Sequence, residues 1–436
     1  MLPAAVAAAL SGLIGAIGAD SRWLVALGRT IVHTASIPGR VPYASADTHG
    51  WPNVPALAET TFYGLHWAFG DRGLSAAQIV AVGAAFFLLT LDMSRAGAPP
   101  AGWLPVALVV WLGGFGSWVV VRVQLFSLVL FALLTVLLRE ETRRPSRRIW
   151  LLVPLVALWS NLHGAVLVGL LVAWAYLLLE RTRRDVLTAI GAGLAATAAL
   201  FVTPALWRTG KYYRGVLENE AARRGIGLWG RLSLHSGLGI LLVVTGLVLF
   251  ALALRGRPRA WELVSLLGLA FLTVRAQRTG VWFLYLAATP AARGLRFRLR
   301  PGRPVAPPFV VAAALGVVVA VVRGPLVTGA SDRLLDRALA DARGTPVLAE
   351  DQLAEQVALR GGRIWVGNPI DAFRRSDQRT YIAWLEGEAA GDPALAHAPR
   401  VILARRGGDA ARRLSRDGRF RAAAKDGHAV LYLRAH

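Results

Sequence analysis

Asp20 is the first acid in the chain, and it closes an opening apolar run, MLPAAVAAALSGLIGAIGAD. A carboxylate there can take a proton from a hydroxyl nucleophile, or it simply ends a helix in solvent. At the C-terminal end of a helix the macrodipole disfavours it, so the position invites a functional reading. Asp47, in SADTHGW, is the second candidate catalytic carboxylate, with Glu59 next in the same stretch. Asp47 and His49 form a two-residue donor set for a divalent cation, but a spacing this short in a loop is more commonly explained by a turn-forming aspartate. Arg122 and Gln124 (VVVRVQLFS) and Arg275 and Arg278 (TVRAQRTGVWF) sit hard against apolar runs. A guanidinium fork matches phosphate, and snorkelling to an interface accounts for the same arginines. Asn161 and His163, in ALWSNLHGAVLVG, occupy a tight connection; capping suits the Asn, while a structural role and a hydrogen bond to phosphate or acceptor suit the His alike. Lys211, beside Tyr212, Tyr213 and Arg214, makes a basic aromatic patch suited to a headgroup, a substrate or simple interfacial anchoring.

These residues need elements that bring them to one face. Apolar runs occur near 2–19, 75–93, 102–121, 124–138, 149–161, 164–180, 186–203, 237–254, 260–274, 279–292 and 307–323. That spacing predicts about eleven transmembrane helices, several shorter than the usual span of about 20 residues. The first run reads as an uncleaved helix, because it lacks the basic start of a signal peptide. Arginine-rich turns at 139–148, 180–185, 255–259 and 293–303 are expected on the cytoplasmic side. Strict alternation then sends Asp20, Arg122, the NLHG turn, loop 204–236, Arg275, Arg278 and the C-terminal region outward. Loop 20–74 combines SRWLVALGRTIVHT, which has the pattern of an interfacial helix, with a Pro-rich segment. Trp51, Tyr63 and Trp67 in it fit sugar stacking and membrane anchoring alike.

Composition agrees with that plan. Of 436 residues, 55% are hydrophobic and 17% charged, and the mean hydropathy is +0.49. An ordinary soluble enzyme is excluded. The formal charge of +23 comes from arginines in short turns, which hold a cytoplasmic face and meet anionic membrane lipids. No nucleic-acid partner is expected. Cysteine is absent, so there is no disulfide framework, thiolate metal site or cysteine nucleophile. From about 330 the pattern changes: TPVLAE, RIWVGN, RVILAR and HAVLYLR alternate with helical stretches. The domains are therefore 1–325, a transmembrane domain with outer loop 20–74, and 330–436, a small soluble α/β domain on the extracytoplasmic side.

Several of these segments resemble a known family. DSRWLVALGRTI, continuing to SIPG and WPNVPALAE, resembles the first outer loop of the GT-C membrane glycosyltransferases. The nearest branch is a bacterial multi-pass group related to protein mannosyltransferases and lipid-A sugar transferases. RVQLFS at 122–127 looks like that group's Arg-Pro-Gln-hydrophobic-Ser segment, and WSNLHG at 159–164 like its Trp-x-Asn-x-His-Gly turn. RAQR at 275–278 falls where the group carries late arginines. The resemblance covers roughly residues 1–300.

The resemblance implies a mainly α, GT-C-like polytopic fold in the cytoplasmic (inner) membrane. It also implies transfer of a sugar, with inversion, from a polyprenyl-phosphate donor to an acceptor outside that membrane. The essential carboxylate of such enzymes follows the first helix, the place Asp20 takes. Arg122, Arg275 and Arg278 would then hold the donor phosphate, and Gln124 and His163 would orient it. The chain departs from the pattern where a second acid often adjoins the first, since Ser21 follows Asp20, and where a His-Glu pair is common, since Val54-Pro55 stands nearby. A non-catalytic protein that binds or moves an anionic lipid or glycan needs the same arginines without Asp20. A glycan ligase needs them with a larger donor.

Overall fold

The computed structural model describes every residue except 19, 296–305, 327, 398–399 and 436, and side chains except also those of 228 and 306–309. The chain divides into two compact units. One comprises Met1–Ala16, Asp71–Thr203 and Gly225–Leu326; the other comprises Ile17–Gly70, Pro204–Arg224 and Val327–His436.

The first unit is helical. Each of the eleven apolar runs becomes helix, from Leu2–Leu13 through Gln124–Arg143, Val166–Tyr176 and Gly237–Arg255 to Ala306–Arg323. Among the described residues, only Ala56–Arg95 and Gly237–Arg255 are long and apolar enough to cross a membrane. The others are shorter for local reasons. The run 102–121 breaks at Gly114 into Pro100–Gly113 and Phe115–Val119, and Leu152–Ser160 is entered through a 3-10 turn, Arg147–Leu151. Val166–Tyr176 leaves through a π turn, Leu177–Arg181. Ala56–Arg95 is itself two helices merged across Gly70, whose φ is 60° and ψ −151°.

Helix contact in this unit relies on small residues. A Cβ on Gly113 would lie 2.2 Å from Thr245 Oγ1 and 2.7 Å from Leu284 Cδ1, so three helices converge on a site only glycine fits. The outer faces are bare. Val264, Leu267, Phe271 and Val274 form an exposed stripe at helical spacing on Ala260–Arg275, as do Val311, Leu315, Val318 and Val322 on Ala306–Arg323. Uncovered apolar stripes of this kind are the inverse of a water-facing surface.

The turn expected at 139–148 starts later than its charges suggest. The Gln124–Arg143 helix carries Arg139, Glu141 and Thr142 inward, and all three are buried. Arg139 Nε donates to Glu262 Oε1 at 2.8 Å, its guanidinium pairs with Asp92, and Nη2 donates to the Leu286 carbonyl at 2.8 Å. Glu141 pairs with Arg181 at 3.2 Å. Oppositely charged partners on neighbouring helices make burial tolerable for groups that sequence alone sends to solvent. Residues 296–303 of the arginine-rich turn expected after the penultimate helix lie outside the described residues.

The second unit contains a four-stranded sheet: β1 (Leu348–Ala349), β2 (Val401–Arg405), β3 (Phe420–Lys425) and β4 (Ala429–Arg434), in the order β1-β2-β4-β3. β1 and β2 are parallel and the other pairs antiparallel, so helices Asp351–Leu359 and Arg375–Leu385 fill the β1–β2 connection. Trp365, Phe373, Tyr381, Trp384, Ile402 and Tyr432 form the core beneath them. Helix Ser21–Thr34 belongs to this unit too. Its first eight residues, Ser21–Gly28, are buried on every side, so it is a core helix over that half and not a helix lying along an interface. A Cβ on Gly28 would stand 2.0 Å from the Glu59 carbonyl oxygen, so the two chain segments touch backbone to backbone.

Candidate functional site

The first helix stops at Leu13, and Asp20 is the N-cap of Ser21–Thr34. The sequence-based expectation of an acid at a helix C-terminus is thereby corrected: the macrodipole of the following helix favours this carboxylate. Asp20 has φ 81° and ψ −21°, a left-handed conformation that costs a non-glycine residue about 1–2 kcal/mol. Glu355 holds it there. The Asp20 amide donates to Glu355 Oε1 at 2.9 Å, the Arg22 amide to Oε2 at 3.3 Å, and Asn368 Nδ2 to Oε1 at 2.8 Å. On its side chain, Asp20 Oδ1 accepts from Trp23 Nε1 at 3.3 Å. Burial, with the nearby Asp20 charge, pushes Glu355 up to about 8.

The unit also holds a cleft of about 320 Å³, lined by Asp47, Trp51, Lys211, Tyr212, Asp371 and Arg374 among others, and the charge of Asp20 acts on two of these groups, Tyr212 and Asp371. Trp51 Nε1 donates to Asp371 Oδ2 at 3.0 Å. Desolvation, and then the charge of Asp20, push Asp371 up to about 6. Lys211 is exposed on the rim, and Trp51 is buried while Trp67 is exposed. Asp47 spends both oxygens locally: Oδ1 accepts from the His49 amide at 2.9 Å and Oδ2 pairs with Arg374. Among the described residues no group of three or more His, Asp or Glu side chains could hold a metal ion. The donor set at Asp47 and His49 therefore stays at two residues.

The remaining candidates lie in the helical unit. Trp159 Nε1 donates to Ser127 Oγ at 2.7 Å, and Ser127 Oγ lies 2.7 Å from His163 Nδ1, which also faces the Ala165 amide at 3.4 Å. With Nδ1 accepting, the imidazole proton resides on Nε2, leaving a donor for an incoming anion. Desolvation and the nearby Arg278 charge push His163 down to about 3, so it is neutral at physiological pH. Arg278 stacks over Trp229, 4.0 Å from the ring centre. Gln124 opens the helix bearing Ser127 one turn later, and Arg122 lies just before it, its Nε buried without a partner. Arg275 is exposed, its guanidinium 5.3 Å over the Phe271 ring. Asn161 is structural in its contacts: Nδ2 donates to the Ala157 carbonyl at 2.7 Å and to the Val202 carbonyl at 2.6 Å.

Among solved structures the chain is similar to ArnT from Cupriavidus metallidurans, crystallised bound to undecaprenyl phosphate. The TM-score is 0.53 over 99% of this chain and 96% of that one, at 13% identity. The chain shares the fold of that protein, in keeping with the GT-C resemblance of its sequence. Arabinofuranosyltransferase AftD from Mycobacteria also aligns, with 15% identity and TM-score 0.48, over 99% of this chain but 40% of its own; so loose a likeness carries no weight. No family model and no curated protein matches the sequence. At 13% identity the GT-C likeness is one of fold, so residue roles must come from this chain's own geometry.

Asp20, Asp47 and Lys211 belong to the sheet-containing unit, and Arg122, Gln124, Asn161, His163, Arg275 and Arg278 to the helical one. Sequence reasoning misses Glu355 and Asp371. Glu355 sits in EDQLAEQVALR, a stretch that reads as an ordinary amphipathic helix. Its one usable signal is position: an acid on the face occupied by Ala354, Val357 and Ala358, all buried.

Proposed function

We propose that the chain is an inverting glycosyltransferase of the cytoplasmic (inner) membrane. It moves a sugar from a polyprenyl-phosphate donor to a hydroxyl of an extracytoplasmic acceptor, a cell-envelope lipid, glycan or protein. The bare apolar stripes on Ala260–Arg275 and Ala306–Arg323 support the membrane location. The observation that carries the catalytic reading is Asp20: a carboxylate kept in a costly backbone conformation by a buried acid 335 residues away.

In this reading Asp20 takes the proton of the acceptor hydroxyl as that oxygen attacks the anomeric carbon. The bond from that carbon to the phosphate oxygen breaks, the polyprenyl phosphate leaves, and configuration inverts. Arg122, Arg278 and the His163 Nε2 proton stabilise charge growing on the leaving phosphate. Arg275 and Gln124 complete the donor contacts, Lys211 and the Trp51 cleft receive the acceptor, and Asn161 holds the NLHG turn. Asp47 organises the rim of the cleft through Arg374. Glu355 is a positioning residue.

Asp20→Asn tests this. A strain carrying only that variant should lack a single-sugar increment on an envelope lipid or glycan, as a deletion strain does, by mass spectrometry. The purified variant should still bind undecaprenyl phosphate. Unchanged envelope chemistry in the variant strain would overturn catalysis in favour of a protein that binds or moves an anionic lipid or glycan.

A further inference from the structure

The helical unit holds a second cleft, at the end of the Gln124–Arg143 helix opposite Gln124 and about 22 Å from it along the axis. Its volume is about 110 Å³. Five arginines line it, Arg95, Arg139, Arg143, Arg259 and Arg293, against one lining acid, Glu262. Most are partly neutralised. Arg139 pairs with Asp92 and Glu262, Arg143 with Glu140, Arg259 with Glu180 and Arg293 with Glu262. Arg95 reaches Glu140 only at 3.9 Å. Four carboxylates thus face five guanidinium groups, which leaves a positive surplus.

Two donors in this cleft are unspent. Trp261 is fully buried, and its Nε1–H has no acceptor. Arg293 Nε–H is likewise buried without a partner, although its Nη2 reaches Glu262 at 3.3 Å. A buried N–H left unpaired costs about 1–3 kcal/mol, so native proteins rarely keep two on residues lining one cleft without something to accept from them. The protein already spends its nearby carboxylates on the arginines. An acceptor of compact size and negative charge is what the cleft lacks.

We propose that this cleft is a phosphate-binding site. Its ligand is a phosphate group carried on the headgroup of an anionic phospholipid or free in solution. Trp261 Nε1 and Arg293 Nε would donate to its oxygens, with Arg95, Arg143 and Arg259 at the rim supplying charge. Basic pockets between membrane helices are suited to anionic headgroups by the same electrostatics. The site is separate from the residues assigned to sugar transfer and does not depend on that assignment.

The test uses the full chain purified in an uncharged maltoside detergent, with phosphatidylglycerol or inorganic phosphate as probe. Either probe should raise the thermal unfolding midpoint in a saturable way, and native mass spectrometry should show one lipid retained if phosphatidylglycerol is the ligand. Saturation by inorganic phosphate with no preference for the lipid would assign the free ion; tighter lipid binding would assign the headgroup. Trp261→Phe, which keeps the ring and deletes the N–H, and Arg293→Gln should each weaken binding about tenfold, the effect of one charge-assisted hydrogen bond. Should Arg293→Gln fail to fold, Trp261→Phe decides alone. Failure of both probes to stabilise the wild-type chain, or equal binding by wild type and Trp261→Phe, overturns the proposal.

Discussion

At the scale of single residues, the informative contrast is between Asp20 and Glu355. Asp20 could be singled out from its place behind the first apolar run. Its partner could not, because 335 residues separate them and nothing local marks Glu355 as other than one acid in an amphipathic helix. Glu355→Gln retains the geometry to accept from the Asp20 and Asn368 N–H groups through one oxygen, and gives up only the 3.3 Å bond to Arg22. Turnover of the lipid-linked sugar should therefore fall by about tenfold, with KM for the donor little changed, whereas Asp20→Asn should cost about 10²–10⁴-fold. Steady-state assays on the donor consumed by the wild type check both. Ser127→Ala tests the donor contacts proposed for the helical unit. It frees His163 Nδ1 and so releases the ring orientation, which should raise the donor KM several-fold while Asp20 chemistry is untouched.

At the scale of elements, the apolar runs mark the helices well, since each of the eleven becomes helix, although only two are long and apolar enough to cross a membrane among the described residues. Helix length was less legible: breaks at Gly114 and at the 3-10 and π turns depend on packing, not on hydropathy. Charges misled in one place. Arg139, written in sequence as the start of a basic turn, instead bridges Asp92 and Glu262 inside the helical unit. Arg139→Met would strand two buried carboxylates and should destabilise by about 3–5 kcal/mol, read as a lower unfolding midpoint in detergent. Gly28→Val drives a side chain into the Glu59 carbonyl, and a loss of about 1–3 kcal/mol is expected in the same measurement.

At the scale of the whole molecule, several acids of the sheet-containing unit titrate upward on folding. Burial pushes Glu355 up to about 8, Glu350 to about 7 and Asp371 to about 6. The folded state therefore keeps protons that the unfolded chain has released. Their contribution to stability is complete below the ordinary carboxylate range and is lost as pH climbs from about 4.5 to about 8. Tryptophan fluorescence of unfolding across that range should show a falling midpoint, and Glu355→Gln should flatten its upper limb. A midpoint that rises with pH would contradict these protonation states.

Chain order adds a constraint on biogenesis. The sheet-containing unit draws on segments near the beginning, middle and end of the polypeptide, 17–70, 204–224 and 327–436. The ribosome releases Glu355 long after Asp20, so the early strained aspartate must wait for its late partner. A chain terminated at residue 330 should insert and persist as helices, yet leave Trp51 and Asp20 open to rapid deuterium uptake and protease cleavage. Completion of the tail is thus the step at which Asp20 gains the partner that holds its backbone.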